Sequence, residues 1–189
     1  ITLVGSHPFY KRAVQFSINN SEYVTAVSKS LKEDTERLFD VEKPINVIPN
    51  FIDLSKTNDT GNTIDKYVVA SKDQFVITHI SNFRPLKRII DVLKVFEKIR
   101  NKLDAKLIMV GDGPEKLRAK SYCKSHKLDE DVLFLGNSNE VDQILSFSDL
   151  FLLPSEQESF GLVALEAMIH KVPVVSTDIG GLPEVIENG

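Results

Sequence analysis

Nearly continuous apolar runs alternate with helix-like segments through the second two-thirds of the chain. The runs lie at 75–81, 106–111, 132–136, 149–155 and 172–177, and the helix-like segments at 87–103, 114–126, 139–148 and 159–171. Such runs are typical of strands that are buried on both faces of a sheet. Because strands and helices alternate, the pattern predicts right-handed βαβ units around a parallel sheet, and therefore an α/β fold.

The first third of the chain repeats this pattern over a shorter length. It predicts a strand at 23–28, a helix at 29–39 and a strand at 45–50. Ser28 or Ser30 would cap the helix, because a serine hydroxyl can accept a hydrogen bond from a free N–H of the first turn. The polar stretch 54–67 is typical of a linker. The predicted organisation is the end of one α/β domain at 1–53, a hinge at 54–68 and most of a second α/β domain at 69–189.

Charge and cysteine content narrow the classes of function. The 189 residues carry a net charge of −4, which gives no overall attraction to nucleic acid or to an anionic membrane. Cys123 is the only cysteine, so we expect no disulfide framework and a reducing, cytoplasmic location. No apolar run approaches the ~20 residues of a membrane span. The chain begins without methionine and stops within a helix-like segment, so we expect a piece of a longer protein.

Small and polar residues follow each predicted strand of the second domain. Ligands bind at the carboxyl ends of the strands in open parallel sheets, so these residues are candidates for a binding site. After the first of these strands, Arg84, Lys87 and Arg88 lie within five positions. Their cations would suit a diphosphate, assisted by the N–H groups at the start of the following helix. A solvated basic turn is the alternative that spacing alone leaves open.

Glu158 and Glu166 lie eight positions apart at the start of a predicted helix. A straight helix would separate them by roughly 12 Å, with an offset of about 80° around the axis. That exceeds the roughly 5–9.5 Å between the carboxylates of ordinary glycoside hydrolases, and it suits the length of a nucleotide diphosphate. Apolar neighbours surround Glu166, so its carboxylate is expected to need a partner. The alternatives are a favourable charge at a helix N-terminus for Glu158 and an ordinary amphipathic-helix position for Glu166.

Five stretches of the chain form a recognisable set. They are "VTAVSKSL", "NVIPNFID", "LIMVGDGPE", "SEQESFGLVALEAM" and "KVPVVSTDIGGLPEVIENG". In content and order they resemble the family-four retaining glycosyltransferases, and the resemblance spans essentially the whole chain. The two glutamates followed by "DIGGLPE" are the specific part of this signal, whereas "GDGP" alone is weak. The resemblance implies the GT-B fold of two Rossmann-like domains, here the end of the acceptor-side domain and most of the donor-binding domain.

The resemblance also implies roles for the matching positions. The catalytic set would be Glu158, Arg84 and Lys87, and the donor-binding set Asn82, Gly111, Gly136, Ser159, Phe160, Gly161, Leu162 and Glu166. Glu158 would contact the donor sugar, Glu166 the ribose hydroxyls and Lys87 a phosphate. The family often has an arginine where this chain has Asn82, so the second phosphate contact stays open between Asn82 and Arg84.

Backbone groups would complete the donor site that the resemblance implies. The backbone from Phe160 to Leu162 would hold the sugar and the diphosphate, and the loop after Gly136 would lie against the base. The leaving phosphate itself would act as the base. We therefore assign no covalent nucleophile, no cofactor and no bound metal.

Within the family, the likeness is greatest to members that transfer N-acetylglucosamine from UDP to L-malate in bacillithiol biosynthesis. It implies UDP-N-acetylglucosamine as the donor and L-malate as the acceptor, with retention of the α configuration. A dicarboxylate favours cations, so Lys11 or Arg12, which follow His7 and Tyr10, is a candidate contact for malate. A solvated helix start is the alternative for these residues.

Three other functions stay open. The first is a family-four enzyme with another nucleotide-sugar or acceptor. The second is a nucleotide-sugar epimerase of the same architecture, which needs acid and base groups at the sugar, of which only Glu158 is visible. The third is a catalytically silent nucleotide-binding domain. The oligomeric state is also open, and a homo-oligomer is among the options.

Overall fold

The computed structural model describes residues 7–53, 66–71 and 73–187, which form two compact units. The first unit contains the described part of Ile1–Phe51, together with Glu158–Leu162 and the described part of Asp178–Gly189. The second contains the described part of Ile52–Gln157, together with Val163–Thr177. The chain therefore leaves the second unit twice in its last third.

The first unit contains a short parallel βαβ arrangement. Helix α1 spans Pro8–Asn19, strand β1 Val24–Ala26, helix α2 Lys29–Leu38 and strand β2 Ile45–Val47. β1 and β2 pair in parallel, so α2 is the crossover between them. Ser28, rather than Ser30, caps α2, because its hydroxyl accepts a hydrogen bond from the N–H of Leu31 at 3.0 Å. The elements predicted for this region are confirmed, with shorter strands.

A solvated helix start was expected only as the alternative for Lys11 and Arg12, and helix α1 confirms it and continues to Asn19. Its start follows an ordinary rule, because Pro8 at the first helical position has no N–H to lose and a backbone already suited to the helix. None of its residues is buried, and the side chains of Phe9 and Phe16 are 72% and 71% exposed. Phe9, Ala13 and Phe16 recur at helical spacing, so the sequence carries an apolar period here although the structure buries none of these side chains.

The second unit is built on a five-stranded parallel sheet. Its strands are β3 Phe75–Ile80, β4 Ala105–Val110, β5 Val132–Gly136, β6 Leu150–Leu153 and β7 Val174–Ser176. The helices in chain order are α3 Lys66–Val69, α4 Ile89–Arg100, α5 Lys116–Ser125, α6 Val141–Ser146 and α7 Leu162–Ile169. The spatial order of the strands is β5-β4-β3-β6-β7, and every neighbouring pair is parallel. The prediction of an α/β fold with a parallel sheet is therefore confirmed.

The order of the strands changes direction beside β3. β4 and β5 follow on one side of β3, and β6 and β7 follow on the other. Ile77 is in register with Leu107 on one side and with Leu150 on the other. In sheets of this kind, ligands bind outside the carboxyl ends of the two strands at the change of order, which here are β3 and β6.

Helix α4 packs its apolar face into the core of the second unit. Ile89, Val92, Leu93 and Phe96 recur at helical spacing and are all buried. They belong to the same core cluster as Leu107 of β4. Burial of one apolar face explains why this segment is helical, since packing contributes most of the stability of a short helix.

The start of α4 differs from its predicted position at residue 87. Arg88 has a left-handed backbone with φ of 54°, and a 3-10 turn at Pro85–Lys87 precedes it. The basic residues therefore lie in an irregular turn rather than in the first turn of the helix. Most of the predicted hinge, 54–65, lies outside the described residues, and α3 begins at its end, so the predicted domain limits stay a prediction.

Phe96→Ala should lower the free energy of unfolding by about 3–5 kcal/mol, because it empties a fully buried aromatic position. Val95→Ala is the matched control on the same helix, since Val95 is 37% exposed. The control should change stability by about 0.5 kcal/mol or less. Urea unfolding followed by circular dichroism measures both variants. Equal unfolding midpoints would contradict the place of Phe96 in the core.

Candidate functional site

The chain leaves β3 through a turn whose side chains alternate between the core and solvent. Phe83 is fully buried, while Asn82 and Arg84 on either side of it are exposed. The carbonyl oxygen of Phe83 accepts a hydrogen bond from the N–H of Glu115 at 3.0 Å, which fixes the turn against the segment after β4. Both candidates for the second phosphate contact are therefore exposed at the carboxyl end of the sheet.

Arg88 has structural partners of its own. Its Nε donates a hydrogen bond to Asp91 at 2.6 Å, and its guanidinium lies 4.0 Å from a carboxylate oxygen of Glu156. The N–H of Glu156 also donates to the carbonyl oxygen of Leu86 at 2.7 Å, so the segment after β6 contacts the 3-10 turn after β3. The basic turn is thereby held at the place where the strand order changes.

Gly111 and Gly136 lie next to each other at the ends of β4 and β5. The N–H of Gly111 donates a hydrogen bond to the carbonyl oxygen of Gly136 at 2.7 Å. Gly111 has φ of 123°, and a Cβ there would overlap the carbonyl oxygen of Ser81. At Gly136 a Cβ would meet no clash, since the nearest atom would be Nζ of Lys116 at 3.9 Å, but the φ of 72° favours glycine. Backbone packing explains Gly111 without a ligand, and the donor-binding roles of both glycines stay predictions.

His79 is a residue next to the site that sequence reasoning passed over. It is fully buried in β3, with Nδ1 2.8 Å from the carbonyl oxygen of Leu152 and Nε2 2.8 Å from Oγ of Ser81. Burial lowers its pKa to about 4, the bond to Leu152 opposes this, and the charge of Lys87 lowers the pKa further. A carbonyl oxygen can only accept, so the neutral ring donates to Leu152 and accepts from Ser81. His79 therefore joins β3 to β6 at the carboxyl edge.

Glu166 lies half-buried on α7. Burial raises the pKa of this carboxyl group, the charge of Asp142 raises it further, and His170 opposes both effects. Asp142 itself contacts His170, whose Nε2 lies 3.0 Å from a carboxylate oxygen. The environment thus disfavours the charged form of Glu166, which agrees with the predicted need for a binding partner.

The segment Glu158–Leu162 belongs to the first unit and is not helical before Leu162. Gly161 has φ of 95°, a conformation that glycine adopts readily and other residues do not. Phe160 is buried, Ser159 is exposed and Glu158 is half-buried. The helix predicted from residue 159 begins at Leu162 instead, so the separation of roughly 12 Å, which assumed helical geometry from Glu158 to Glu166, does not apply.

Two glycines of the "DIGGLPE" stretch pack against this segment. The N–H of Gly181 donates a hydrogen bond to the carbonyl oxygen of Glu158 at 2.9 Å. A Cβ at Gly180 would overlap that same oxygen, and one at Gly181 would overlap the carbonyl oxygen of Ser159. The stretch was recognised only as part of a family pattern, and the structure gives the physical reason for its glycines.

The predicted site residues thus fall into two groups. Asn82, Arg84, Lys87, Gly111, Gly136 and Glu166 belong to the second unit, and Glu158, Ser159, Phe160, Gly161 and Leu162 belong to the first. The acceptor candidates His7, Tyr10, Lys11 and Arg12 are exposed on or beside α1, also in the first unit. The contact of Lys11 or Arg12 with malate stays a prediction.

The described part of the chain contains neither a cluster of metal ligands nor a membrane-spanning helix. Within 7–53, 66–71 and 73–187, no group of three or more His, Cys, Asp or Glu side chains is placed to hold a metal ion. Over the same ranges, no helix combines the length and the apolar character needed to cross a membrane.

A parallel sheet whose strand order changes direction is typical of Rossmann-like proteins, which bind their ligands at that change of order. Residues 62–189 match the family described as "Glycosyl transferases group 1", and residues 2–56 match "Glycosyltransferase Family 4". The first match covers more than half of the chain, so the chain belongs to the glycosyl transferases group 1 family. The predicted relation to the family-four glycosyltransferases is confirmed.

Curated relatives agree with this family. The chain is 44% identical over 191 residues to N-acetyl-alpha-D-glucosaminyl L-malate synthase of Bacillus anthracis, covering 100% of this chain and 50% of that protein. It is 31% identical over 187 residues to the phosphatidylinositol N-acetylglucosaminyltransferase GPI3 subunit of Saccharomyces cerevisiae. This match covers 94% of this chain and 40% of that protein. The chain therefore spans half, or less, of the length of these relatives.

Solved structures confirm the GT-B class of fold. Anabaena HepE, in complex with UDP and glucose, matches with a TM-score of 0.86 at 24% identity, covering 96% of this chain and 51% of that one. WaaG, a glycosyltransferase involved in lipopolysaccharide biosynthesis, matches with a TM-score of 0.77 at 17% identity, covering 96% and 52%. At these identities the likeness concerns the fold alone.

Glu166→Gln should raise the free energy of unfolding of the ligand-free protein at pH 7, because it removes a half-buried charge. A carboxyl whose pKa is raised by folding favours the fold when protonated, and that contribution is lost as the pH rises above about 4.3. The advantage of the variant should therefore be largest at pH 7, shrink as the pH falls towards about 4.3 and be absent below that pH.

Urea unfolding at both pH values measures this effect. Glu33→Gln, at an exposed glutamate on α2, is the control and should show no comparable gain at pH 7. A Glu166→Gln variant that is less stable than the wild type at pH 7 would count against an unfavourable environment for the charge.

Proposed function

We propose that the protein is a retaining glycosyltransferase that transfers N-acetylglucosamine from UDP-N-acetylglucosamine to L-malate. The observation that carries this proposal is the 44% identity, along the whole chain, to a protein named for the product N-acetyl-α-D-glucosaminyl L-malate. The yeast relative is also named for N-acetylglucosaminyl transfer, and HepE was solved with UDP and glucose. The names of the two relatives support transfer of N-acetylglucosamine, the malate acceptor rests on the first relative alone, and the UDP carrier rests on the resemblance to the family.

Glu166 is the proposed contact for the ribose. An ionised carboxylate only accepts hydrogen bonds, and the two neighbouring ribose hydroxyls supply two donors. Hydrogen bonds to the charged form of a carboxylate lower its pKa. Ribose binding would therefore offset the burial that raises the pKa of Glu166 in the free protein.

Arg84 and Lys87 are the proposed contacts for the diphosphate. Cleavage of the bond between the sugar and the phosphate develops negative charge on the leaving UDP, and fixed cations stabilise that charge. Arg84 is exposed in the turn that follows the carboxyl end of β3. The charge of Lys87 lowers the pKa of His79, which lies in β3. Asn82, which stands where the family often has an arginine, would add a neutral hydrogen bond.

Glu158 is the proposed contact for hydroxyls of the donor sugar. In the reaction, the bond from the sugar carbon to the phosphate oxygen breaks, and the malate hydroxyl forms a new bond to that carbon on the same face. The hydroxyl proton passes to the departing phosphate oxygen, so no side chain has to act as base. Glu158 therefore orients the sugar rather than forming a covalent intermediate, and the reaction is written without a metal ion.

The physiological setting belongs to the same proposal. The reaction would serve bacillithiol biosynthesis, as the resemblance within the family implies. A cytoplasmic location rests on the cysteine content. The single thiol, Cys123, is buried, and burial raises its pKa to about 11. A thiol of this kind fits a structural position in a reducing compartment.

The full-length protein should release UDP from UDP-N-acetylglucosamine only when L-malate is present. Coupled nucleotide-release assays with UDP-, GDP- and ADP-sugars, each with and without malate, measure this, and excess EDTA should leave the rate unchanged. Malate-independent conversion to another hexosamine would instead indicate an epimerase. Nucleotide binding without turnover of any sugar would indicate a silent binding domain.

Replacing Glu158 and Glu166 by alanine should have different effects on turnover and on UDP binding. Glu166→Ala should weaken UDP binding about tenfold, because a hydrogen bond to a charged group is worth about 1.5 kcal/mol or more. Glu158→Ala should lower kcat about 100-fold and leave UDP affinity unchanged, because its contact acts on the sugar as the bond breaks.

Calorimetry with UDP and steady-state kinetics separate these two effects. Gln157→Ala is the matched control in the same stretch, since Gln157 is exposed. An unchanged UDP affinity in the Glu166→Ala variant would disprove the ribose assignment. A loss of UDP affinity in Glu158→Ala would move Glu158 from the sugar to the nucleotide.

A further inference from the structure

Ser28 joins the first turn of α2 to the segment that carries Glu158. The Ser28 side chain is 1% exposed, and its hydroxyl makes two hydrogen bonds. It accepts one from the N–H of Leu31 at 3.0 Å, which caps the helix, and donates one to the carbonyl oxygen of Ser159 at 2.6 Å. A single buried hydroxyl thus connects residues that are 131 positions apart in the chain.

Glu184 contacts the same helix turn with its carboxylate. Its two oxygens accept hydrogen bonds from the N–H groups of Lys29 and Ser30, each at 2.9 Å. These are free donors at a helix start, where the helix dipole also favours negative charge. Glu184 ends the 3-10 turn Leu182–Glu184, which directly follows the glycine that binds the carbonyl oxygen of Glu158.

These contacts hold the segment by its backbone. The carbonyl oxygens of Glu158 and Ser159 accept hydrogen bonds from Gly181 and Ser28, and Glu184 attaches the glycine turn to α2. They therefore fix the backbone from which the Glu158 side chain projects. The proposed chemistry needs that side chain at a set place, because a misplaced group loses much of its effect on the rate.

We propose that Ser28 and Glu184 are positioning residues for sugar transfer, which act by holding the backbone at Glu158 and Ser159. The proposal rests on the proposed role of Glu158 at the donor sugar. Ser28 is buried, so water cannot replace its bond to Ser159, whereas water competes for the exposed Glu184. Ser28 therefore has the larger effect of the two.

Ser28→Ala in the full-length protein should lower kcat about tenfold, since small misplacements near the chemistry slow a reaction by one or two orders of magnitude. UDP affinity should fall by less than the turnover, because the proposed contacts Lys87 and Glu166 belong to the other unit and only the backbone proposed to hold the diphosphate, Phe160–Leu162, adjoins Ser159. Ser28→Thr keeps the hydroxyl and should restore most of the turnover. A merely structural role for Ser28 predicts no such split between kcat and UDP binding.

Thr35→Ala is the matched control for Ser28→Ala. Thr35 is a buried hydroxyl on the same helix, and it donates a hydrogen bond to the carbonyl oxygen of Leu31 within α2. Both variants should lower the melting temperature, but only Ser28→Ala should lower kcat. Glu184→Ala should lower kcat about threefold, consistent with an exposed contact, and Glu187→Ala, an exposed neighbour, should leave it unchanged.

Hydrogen exchange read by mass spectrometry tests the same contacts without any substrate. Peptides that cover 155–165 should exchange faster in Ser28→Ala than in the wild type or in Thr35→Ala. Equal loss of kcat in Ser28→Ala and Thr35→Ala, or unchanged exchange over 155–165, would overturn the positioning role. Absence of transfer by the wild type would overturn the proposed function alone, because the exchange comparison still decides whether Ser28 holds the segment.

Discussion

The parallel pairing of β3 with both β4 and β6 is the constraint on which the rest of the second unit depends. Because all five strands run the same way, their carboxyl ends meet at one edge, and the polar segments that follow them lie there too. His79 reinforces this pairing from within, since its buried ring bonds to Leu152 of β6. A neutral histidine suits this place, because a buried charge there would be unfavourable. The basic turn, Arg84–Arg88, therefore follows a strand whose buried histidine is uncharged.

The fold was predictable because its signal is strong and repeated. The apolar strand runs and the helix periods both come from burial on the two faces of the sheet, which sequence records directly. Ser28 was also within reach of sequence reasoning, as one of two possible caps. The family pattern added an order of motifs that physics alone does not give. By contrast, only the start of α1 was expected, although Phe9, Ala13 and Phe16 recur at helical spacing along it.

The site was less predictable, because its geometry depends on backbone conformation. Gly161 has a positive φ, and α7 begins at Leu162 rather than at the predicted residue 159, which leaves Glu158 four positions before the helix. Composition cannot distinguish a glycine that ends a loop in this way from one that tolerates a nearby ligand. Gly111 shows the same ambiguity, since its lack of a side chain is already required by the carbonyl oxygen of Ser81. The reason for such a glycine can be assigned only when the atoms that pack against it are known, and these are often distant in sequence.

Glu166 shows how stability and binding can conflict in one residue. Its carboxylate is held where burial and Asp142 both disfavour the charge, so the ligand-free fold loses stability by keeping it ionised. A glutamine would relieve that penalty, but its amide has one accepting oxygen where a carboxylate has two. A vicinal diol that donates two hydrogen bonds therefore distinguishes the two side chains, although they have nearly the same shape. Under the proposed function, the ribose hydroxyls would supply the donors that offset this unfavourable charge.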